Sequence, residues 1–270
     1  KEIGRESVTE RLQVGRDGAH QPTRRRDVDW CPMTALIPGA VLWDMDGTLV
    51  DTEPMWLSAQ QGLVARCGLP PLTLEQDAEL VGASMEIAVR VFQGLGVPLE
   101  ADRIVAELST DVAGRIDERI EWRPGARELL ADLRANGVPT ALVTNSARII
   151  VDRVLEQLPE HVFDAVVTDD DVEHGKPDPG PFLLAAERLG VPAARCLVVE
   201  DSFNGLGGAV AAGCVPVGIP NALELPAHPD YLVHPTLVGV GWAEVVEWYE
   251  RYRGEHPRAA ADAATAGERA

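Results

Sequence analysis

The sequence predicts an α/β protein built on a parallel sheet, with a helical segment inserted after the first strand. Two observations carry this. Short β-branched apolar runs alternate with amphipathic stretches from about residue 40 to residue 248, the pattern of strands covered by helices. Between Glu53 and Glu121 the alternation stops, and that segment shows helix signals only.

Taken in chain order, strands are expected at Ala40–Asp44, Pro139–Thr144, Phe163–Thr168, Cys196–Glu200 and Val215–Ile219, each followed by polar residues. Within the insert, Pro54 suits a first helical turn, where its missing N–H is not needed. Gly68 can end that helix, and Thr73 with Gln76 forms a capping box for the next. Asp201 or Ser202 would cap a helix over about Phe203 to Ala212. There is no internal repeat.

Composition bounds the rest. At 270 residues the chain holds one or two domains, and 46% hydrophobic with 25% charged residues excludes disorder as a whole. With 43 acidic against 24 basic residues the net charge is -19, a field that repels nucleic acid and anionic lipid, and the body of the chain carries no basic patch. An anionic ligand would therefore need a local attractor, either a metal ion or one well-placed lysine. Cys31, Cys67, Cys196 and Cys214 are scattered without a C-x-x-C pair, which argues against a disulfide scaffold and a structural zinc site. No apolar run reaches the roughly 18 residues of a membrane span, and no signal-peptide pattern is present, so a soluble, cytoplasmic protein is expected; a monomer is the expected state. Residues 1–33 are polar, carry the Arg24-Arg25-Arg26 run and end at Met33; a disordered tail or a misassigned start is expected, with the arginines solvated. Residues 254–270 read as a second, Ala-rich tail.

The chemistry-bearing residues lie at strand ends. The first strand runs Val41-Leu42-Trp43-Asp44-Met45-Asp46-Gly47-Thr48, which puts two carboxylates at i and i+2 on the carboxyl edge of the sheet, where open α/β sheets bind ligands. In isolation this is weak, because Asp46-Gly47 is also a hairpin-turn pair. Three further stretches follow. Leu142-Val143-Thr144-Asn145-Ser146 offers a hydroxyl and an amide at a helix N-terminus, which favours an anion. His174-Gly175-Lys176-Pro177-Asp178-Pro179 holds an isolated lysine, and Pro177 keeps it extended, while His174 reads as a loop residue. Val198-Val199-Glu200-Asp201-Ser202 adds two more carboxylates. Singly, Lys176 is a solvated lysine and Asp201 a helix cap; the ordered set is what points to a site.

That set, DMDGT, LVTNS, GKPDP and VVEDSFNG, resembles the haloacid dehalogenase superfamily, in the branch that holds β-phosphoglucomutase and related sugar-phosphate phosphatases. The likeness covers about Ala40 to Trp248. It implies a Rossmann-like parallel-sheet core (residues 34–51 and 123–250), with the first strand central and two strands on each side. A small α-helical cap (52–122) would follow that first strand, with the active site between cap and core. It also implies roles. Asp44 would be the nucleophile forming an aspartyl-phosphate, and Asp46 the acid and base. Mg²⁺ would be held by Asp44, Asp201 and the backbone carbonyl of Asp46. Thr144 and Lys176 would bind the phosphoryl oxygens with Asn145 supporting, while Glu200 orients Lys176 or a metal-bound water.

The substrate implied is a small phosphorylated metabolite, with a sugar phosphate first. Asp46 favours phosphate chemistry over dehalogenation, since a halide needs no acid. No lysine lies between Pro54 and Trp122, so a cap Schiff base for phosphonate hydrolysis is absent. In the mutase the cap supplies a histidine and an arginine; Trp56 and Met85, the latter after Gly82-Ala83-Ser84, stand at those positions here. A phosphatase is therefore favoured over a phosphomutase. Trp56, Ser84 and Met85 become candidate specificity residues, with cap-helix core as their other reading. A non-catalytic ligand-binding relative is the remaining alternative, although none of Asp44, Asp46, Lys176 and Asp201 is missing.

Overall fold

The computed structural model describes residues 37–80, 83–116, 120–159 and 161–256. The expected tails fall outside these residues except at 254–256, where Gly254 and Glu255, read as the start of the second tail, continue the last helix. The elements run β1 (Ala40–Trp43), β2 (Val50–Asp51), α1 (Glu53–Arg66), α2 (Leu74–Leu80), α3 (Met85–Gly94), α4 (Ala101–Ile116), β3 (Glu121–Trp122), α5 (Ala126–Ala135), β4 (Thr140–Val143) and α6 (Arg148–Glu156). They continue with β5 (Ala165–Val167), α7 (Gly180–Leu189), β6 (Cys196–Glu200), α8 (Phe203–Ala211), β7 (Val215–Gly218), β8 (Leu232–Val233) and α9 (Trp242–Glu255).

One parallel sheet has the order β5-β4-β1-β6-β7-β8. β1 is central: Val41 pairs with Thr140 of β4 on one side and with Leu197 of β6 on the other. Its four residues are fully buried, as a strand covered on both faces requires. Successive side chains point to opposite faces. Val41 and Trp43 accordingly enter one apolar core with Leu129 and Tyr249, while Ala40 and Leu42 enter the other with Phe182 and Ala185.

The first of these cores does not stop at the sheet. It continues through Leu63, Phe92, Leu108 and Ile116 of the helical insert, so insert and sheet share one apolar interior on that side. α4 packs against α6, and Gln157 Nε2 donates to the Ile116 carbonyl at 2.7 Å. Each large side chain buried in this continuous core contributes about 1.5–3 kcal/mol relative to exposure.

Local signals explain the insert's helix ends. Pro54 lies in the first turn of α1, and Gly68 adopts φ 70° just past its end. The Thr73–Gln76 capping box forms reciprocally, with Thr73 N donating to Gln76 Oε1 at 2.9 Å and Gln76 N to Thr73 Oγ1 at 3.3 Å.

Two expectations need correction. The span Glu53–Glu121 is not free of strand: Glu121 opens β3, which pairs antiparallel with β2 through Val50–Trp122 and Asp51–Glu121. The central strand also has a third neighbour position on one side, because β8 adds a sixth strand at the edge next to β7. Strands of two residues are too short to show a period of two, which is why neither left a pattern. Among the described residues no helix is long and apolar enough to cross a membrane.

Candidate active site

The carboxyl ends of β1, β4 and β6 lie side by side, and each delivers polar residues as soon as the ladder ends. Asp44 follows β1, its N–H still tied to the Val199 carbonyl of β6 at 3.0 Å. Lys176 is 3% exposed, and its Nζ donates to Asp44 Oδ1 at 2.7 Å and to Glu200 Oε1 at 2.8 Å. The other oxygen of Glu200 accepts from Asp201 N, Ser202 N and Ser202 Oγ, each at 2.9 Å. Both oxygens of Glu200 are thus committed. Asp44 Oδ2, by contrast, is buried without a hydrogen-bond partner.

Two glycines make room for this arrangement. Gly47 has φ 84°, and a Cβ there would collide with the Asp201 carboxylate. At Gly205 a Cβ would sit on the Glu200 carboxylate, so α8 can approach β6 only with glycine at that position. Ser202 Oγ caps α8 by accepting from Gly205 N at 3.0 Å.

The Lys176 loop is clamped by Asn145, whose Oδ1 accepts from Lys176 N at 2.7 Å and whose Nδ2 donates to the Lys176 carbonyl at 3.0 Å. The Lys176–Pro177 peptide is cis. Asn145, expected beside the phosphoryl oxygens, therefore spends its carboxamide on positioning the lysine.

Asp46 is held by four donors. Thr52 Oγ1 at 2.6 Å and Trp56 Nε1 at 3.1 Å bond Oδ1. Ser146 Oγ at 2.7 Å and Thr144 Oγ1 at 3.1 Å bond Oδ2. Two of these donors belong to the start of the insert and two to the loop after β4.

The electrostatics are those of too many carboxylates for one ammonium. Burial, followed by the neighbouring Glu200 charge, pushes Asp44 up to about 7 despite the opposing pull of Lys176. Burial and the charges of Asp44 and Glu200 also raise Asp201 well above the carboxylate range. Glu53 rises to about 7, first through burial and then through Asp46 and Asp51. Burial alone would lower Lys176, but the Asp44 and Glu200 charges outweigh it and raise it above its ordinary value. Asp44, Glu200 and Asp201 each offer an oxygen within 4.8 Å of the others. All-oxygen donors, an unpartnered buried carboxylate oxygen and a surplus of negative charge together fit a hard divalent cation.

A cavity of about 500 Å³ opens over this floor, within the usual size range of small-molecule sites. Asp44, Asp46, Thr144, Asn145, Lys176, Glu200 and Asp201 all line it, as do Trp56 and Met85 from the insert. Ser84 is not among its walls; its hydroxyl caps α3 by accepting from Ile87 N at 3.4 Å. Sequence reading missed Thr52 and Ser146 as partners of Asp46, and Gln60 as a wall residue. Ser146 had a signal, two positions after Thr144 at a strand end, whereas Thr52 and Gln60 join the site only through folding.

Fold and site together define an α/β protein with a cavity over a floor of carboxylates and one lysine. Residues 38–213 match the model of the haloacid dehalogenase-like hydrolases, and the chain belongs to that family. Within it the chain is a phosphoric monoester hydrolase. It is 32% identical over 189 residues to a phosphoglycolate phosphatase of Pseudomonas putida, covering 68% of this chain and 70% of that one. It is 30% identical over 188 residues to a bifunctional riboflavin kinase/FMN phosphatase of Arabidopsis thaliana, which covers 68% of this chain but only 49% of the relative, about half its length. Among solved structures, CbbY from Rhodobacter sphaeroides in complex with phosphate superposes with a TM-score of 0.70 at 26% identity, over 77% of this chain and 99% of that one.

Proposed function

We propose that the chain is a Mg²⁺-dependent phosphatase that cleaves a small phosphate monoester, a sugar phosphate being the first expectation, through an aspartyl-phosphate on Asp44. The observation that carries this is the state of Asp44: one oxygen is held by Lys176, the other is buried and unpartnered, and the carboxylate offers an oxygen within 4.8 Å of oxygens of Asp201 and Glu200. In the first step an Asp44 oxygen attacks phosphorus, the ester P–O bond breaks, and Asp46 gives a proton to the leaving alcohol. In the second, water attacks the phosphoryl group and surrenders a proton to Asp46, the bond to Asp44 breaks, and inorganic phosphate leaves. Splitting the reaction this way asks the protein mainly for positioning and charge neutralisation.

Asp44, Asp201 and the backbone carbonyl of Asp46 would hold the cation, whose chemistry when bound is to neutralise the phosphoryl oxygens. Glu200 is left out of that set because Lys176 and the Asp201–Ser202 turn occupy both its oxygens. Lys176 and Thr144 face the phosphoryl group, and Asn145 and Glu200 hold Lys176 in place. Residues 52–122 act as the cap over a core of residues 34–51 and 123–250. With Trp56 and Met85 lining the cavity, and Lys176 the one cation among its described walls, nothing grips a second phosphate as a mutase would require.

The test is hydrolysis of p-nitrophenyl phosphate with Mg²⁺, with chelator, and by Asp44→Asn. Turnover that requires the cation and vanishes in a folded Asp44→Asn protein is expected. Substantial turnover by Asp44→Asn removes Asp44 as nucleophile, and a folded wild-type protein that binds phosphate esters without hydrolysing them is a binding relative instead.

A further inference from the structure

The wall that the insert contributes to the cavity differs in kind from the floor. Trp56, Leu57, Leu80, Met85 and Leu108 make it largely apolar. The polar edge of Trp56 is not available to a ligand, because its Nε1 already donates to Asp46. The charged groups on the insert side, Glu53 and Asp77, are both acidic. Lys176 is the one cation among the described lining residues, and it lies on the floor between Asp44 and Glu200.

Gln60 is the exception on this wall. It is 8% exposed, it lines the cavity, and its carboxamide makes no hydrogen bond to the described residues. Its amide is not sealed in the core but opens onto the cavity, where it offers a ligand donors and an acceptor but no charge. The neighbouring Gln61 shows what a satisfied amide looks like here, since it accepts from Leu72 N at 3.2 Å and donates to Asp77 at 3.3 Å.

Resting on the phosphatase reading, we propose that this half of the cavity takes an uncharged leaving alcohol with an apolar face, oriented by hydrogen bonds with Gln60, and turns away esters that carry a second anion. A carboxylate or second phosphate placed there would be desolvated against apolar side chains beside Asp77 and Glu53 with no cation to meet it. A neutral alcohol buries its carbon surface on the leucines and Met85 and satisfies Gln60 with one hydroxyl or carbonyl. The preference concerns the leaving group alone, so the phosphoryl chemistry on the floor is common to every substrate.

The experiment compares kcat/KM for cleavage at primary phosphate esters with Mg²⁺, the bisphosphate being scored by release of its 6-phosphate, so that leaving-group chemistry is matched. 2-Hydroxyethyl phosphate should exceed phosphoglycolate, and glucose 6-phosphate should exceed glucose 1,6-bisphosphate, each by at least about ten-fold. Benzyl phosphate should exceed 2-hydroxyethyl phosphate. Equal or faster turnover of the anionic member of either pair overturns the proposal. Failure to hydrolyse every ester, p-nitrophenyl phosphate included, instead overturns the phosphatase reading on which it rests, so the two failures are distinguishable. Gln60→Leu should lower the ratio of glucose 6-phosphate to benzyl phosphate turnover by about ten-fold, and an unchanged ratio in a folded variant removes Gln60 as the orienting group. The wild-type panel decides the matter even where that variant does not fold.

Discussion

Asp46 shows how a single carboxylate is given a direction. Four donors from two parts of the chain fix its plane, and Trp56 is the one that ties it to α1. Replacing Asp46 by Asn should slow hydrolysis by about 10²–10⁴-fold for an alkyl ester that needs a proton, and by clearly less for p-nitrophenyl phosphate. Equal losses on both would assign Asp46 to shaping the site instead. Trp56→Phe keeps the ring but removes the N–H, and should lower kcat by about ten-fold with little change in KM. A change confined to KM would place Trp56 in substrate binding alone. The grouping of Asp44, Asp46, Lys176, Glu200 and Asp201 around one cavity was legible in the sequence because each sits in a short motif at or near a strand end. Gln60 was not, because nothing local distinguishes it from Gln61; only the fold turns one amide to the cavity and the other to Asp77.

At the scale of elements, Asp171 joins three of them. It follows β5, its carboxylate accepts from Thr168 N and Oγ1 at 2.9 Å, and it pairs with Arg148 of α6 at 2.7 Å and Arg188 of α7 at 2.8 Å. Partial burial works against ionisation, yet the hydrogen bonds from Arg188 and Thr168 and the charge of Arg148 hold the carboxyl well below its usual range. A depressed folded-state pKa gives stability that is present above the ordinary value near 3.9 and is lost as pH falls toward the folded one. Asp171→Asn should therefore cost about 1 kcal/mol at pH 7, since solvent screens its partly exposed arginine partners, read from urea denaturation, and the gap between the two proteins should narrow below about pH 4. A constant gap would mean that Asp171 acts through shape and not charge. Much the same reasoning explains which strands could be read beforehand. β1, β4, β6 and β7 are runs of four or five buried residues, long enough to stand out; β2, β3 and β8 have two residues each and exist only because a partner strand completes them.

For the molecule as a whole, the net charge of -19 opposes every anionic substrate at a distance, while Lys176 acts only at contact. Salt screens the first far more than the second, because Lys176 is buried. At saturating Mg²⁺, raising KCl from about 20 to 200 mM should increase kcat/KM for p-nitrophenyl phosphate by about two- to three-fold. A fall would mean that a local positive field dominates the approach. The pairing of β2 with β3 matters on the same scale. The chain enters and leaves the insert through two strands hydrogen-bonded to each other, so the sheet meets the whole helical excursion as a loop whose ends are already joined. Length added beyond Trp56 should leave the strand order unchanged, since loop length costs little once the ends are fixed, whereas Thr52 and Trp56 must stay where they hold Asp46. On the proposed function, an engineer could exchange the remainder of the insert, and with it the surface that meets the alcohol, while the carboxylates and lysine at the strand ends are kept.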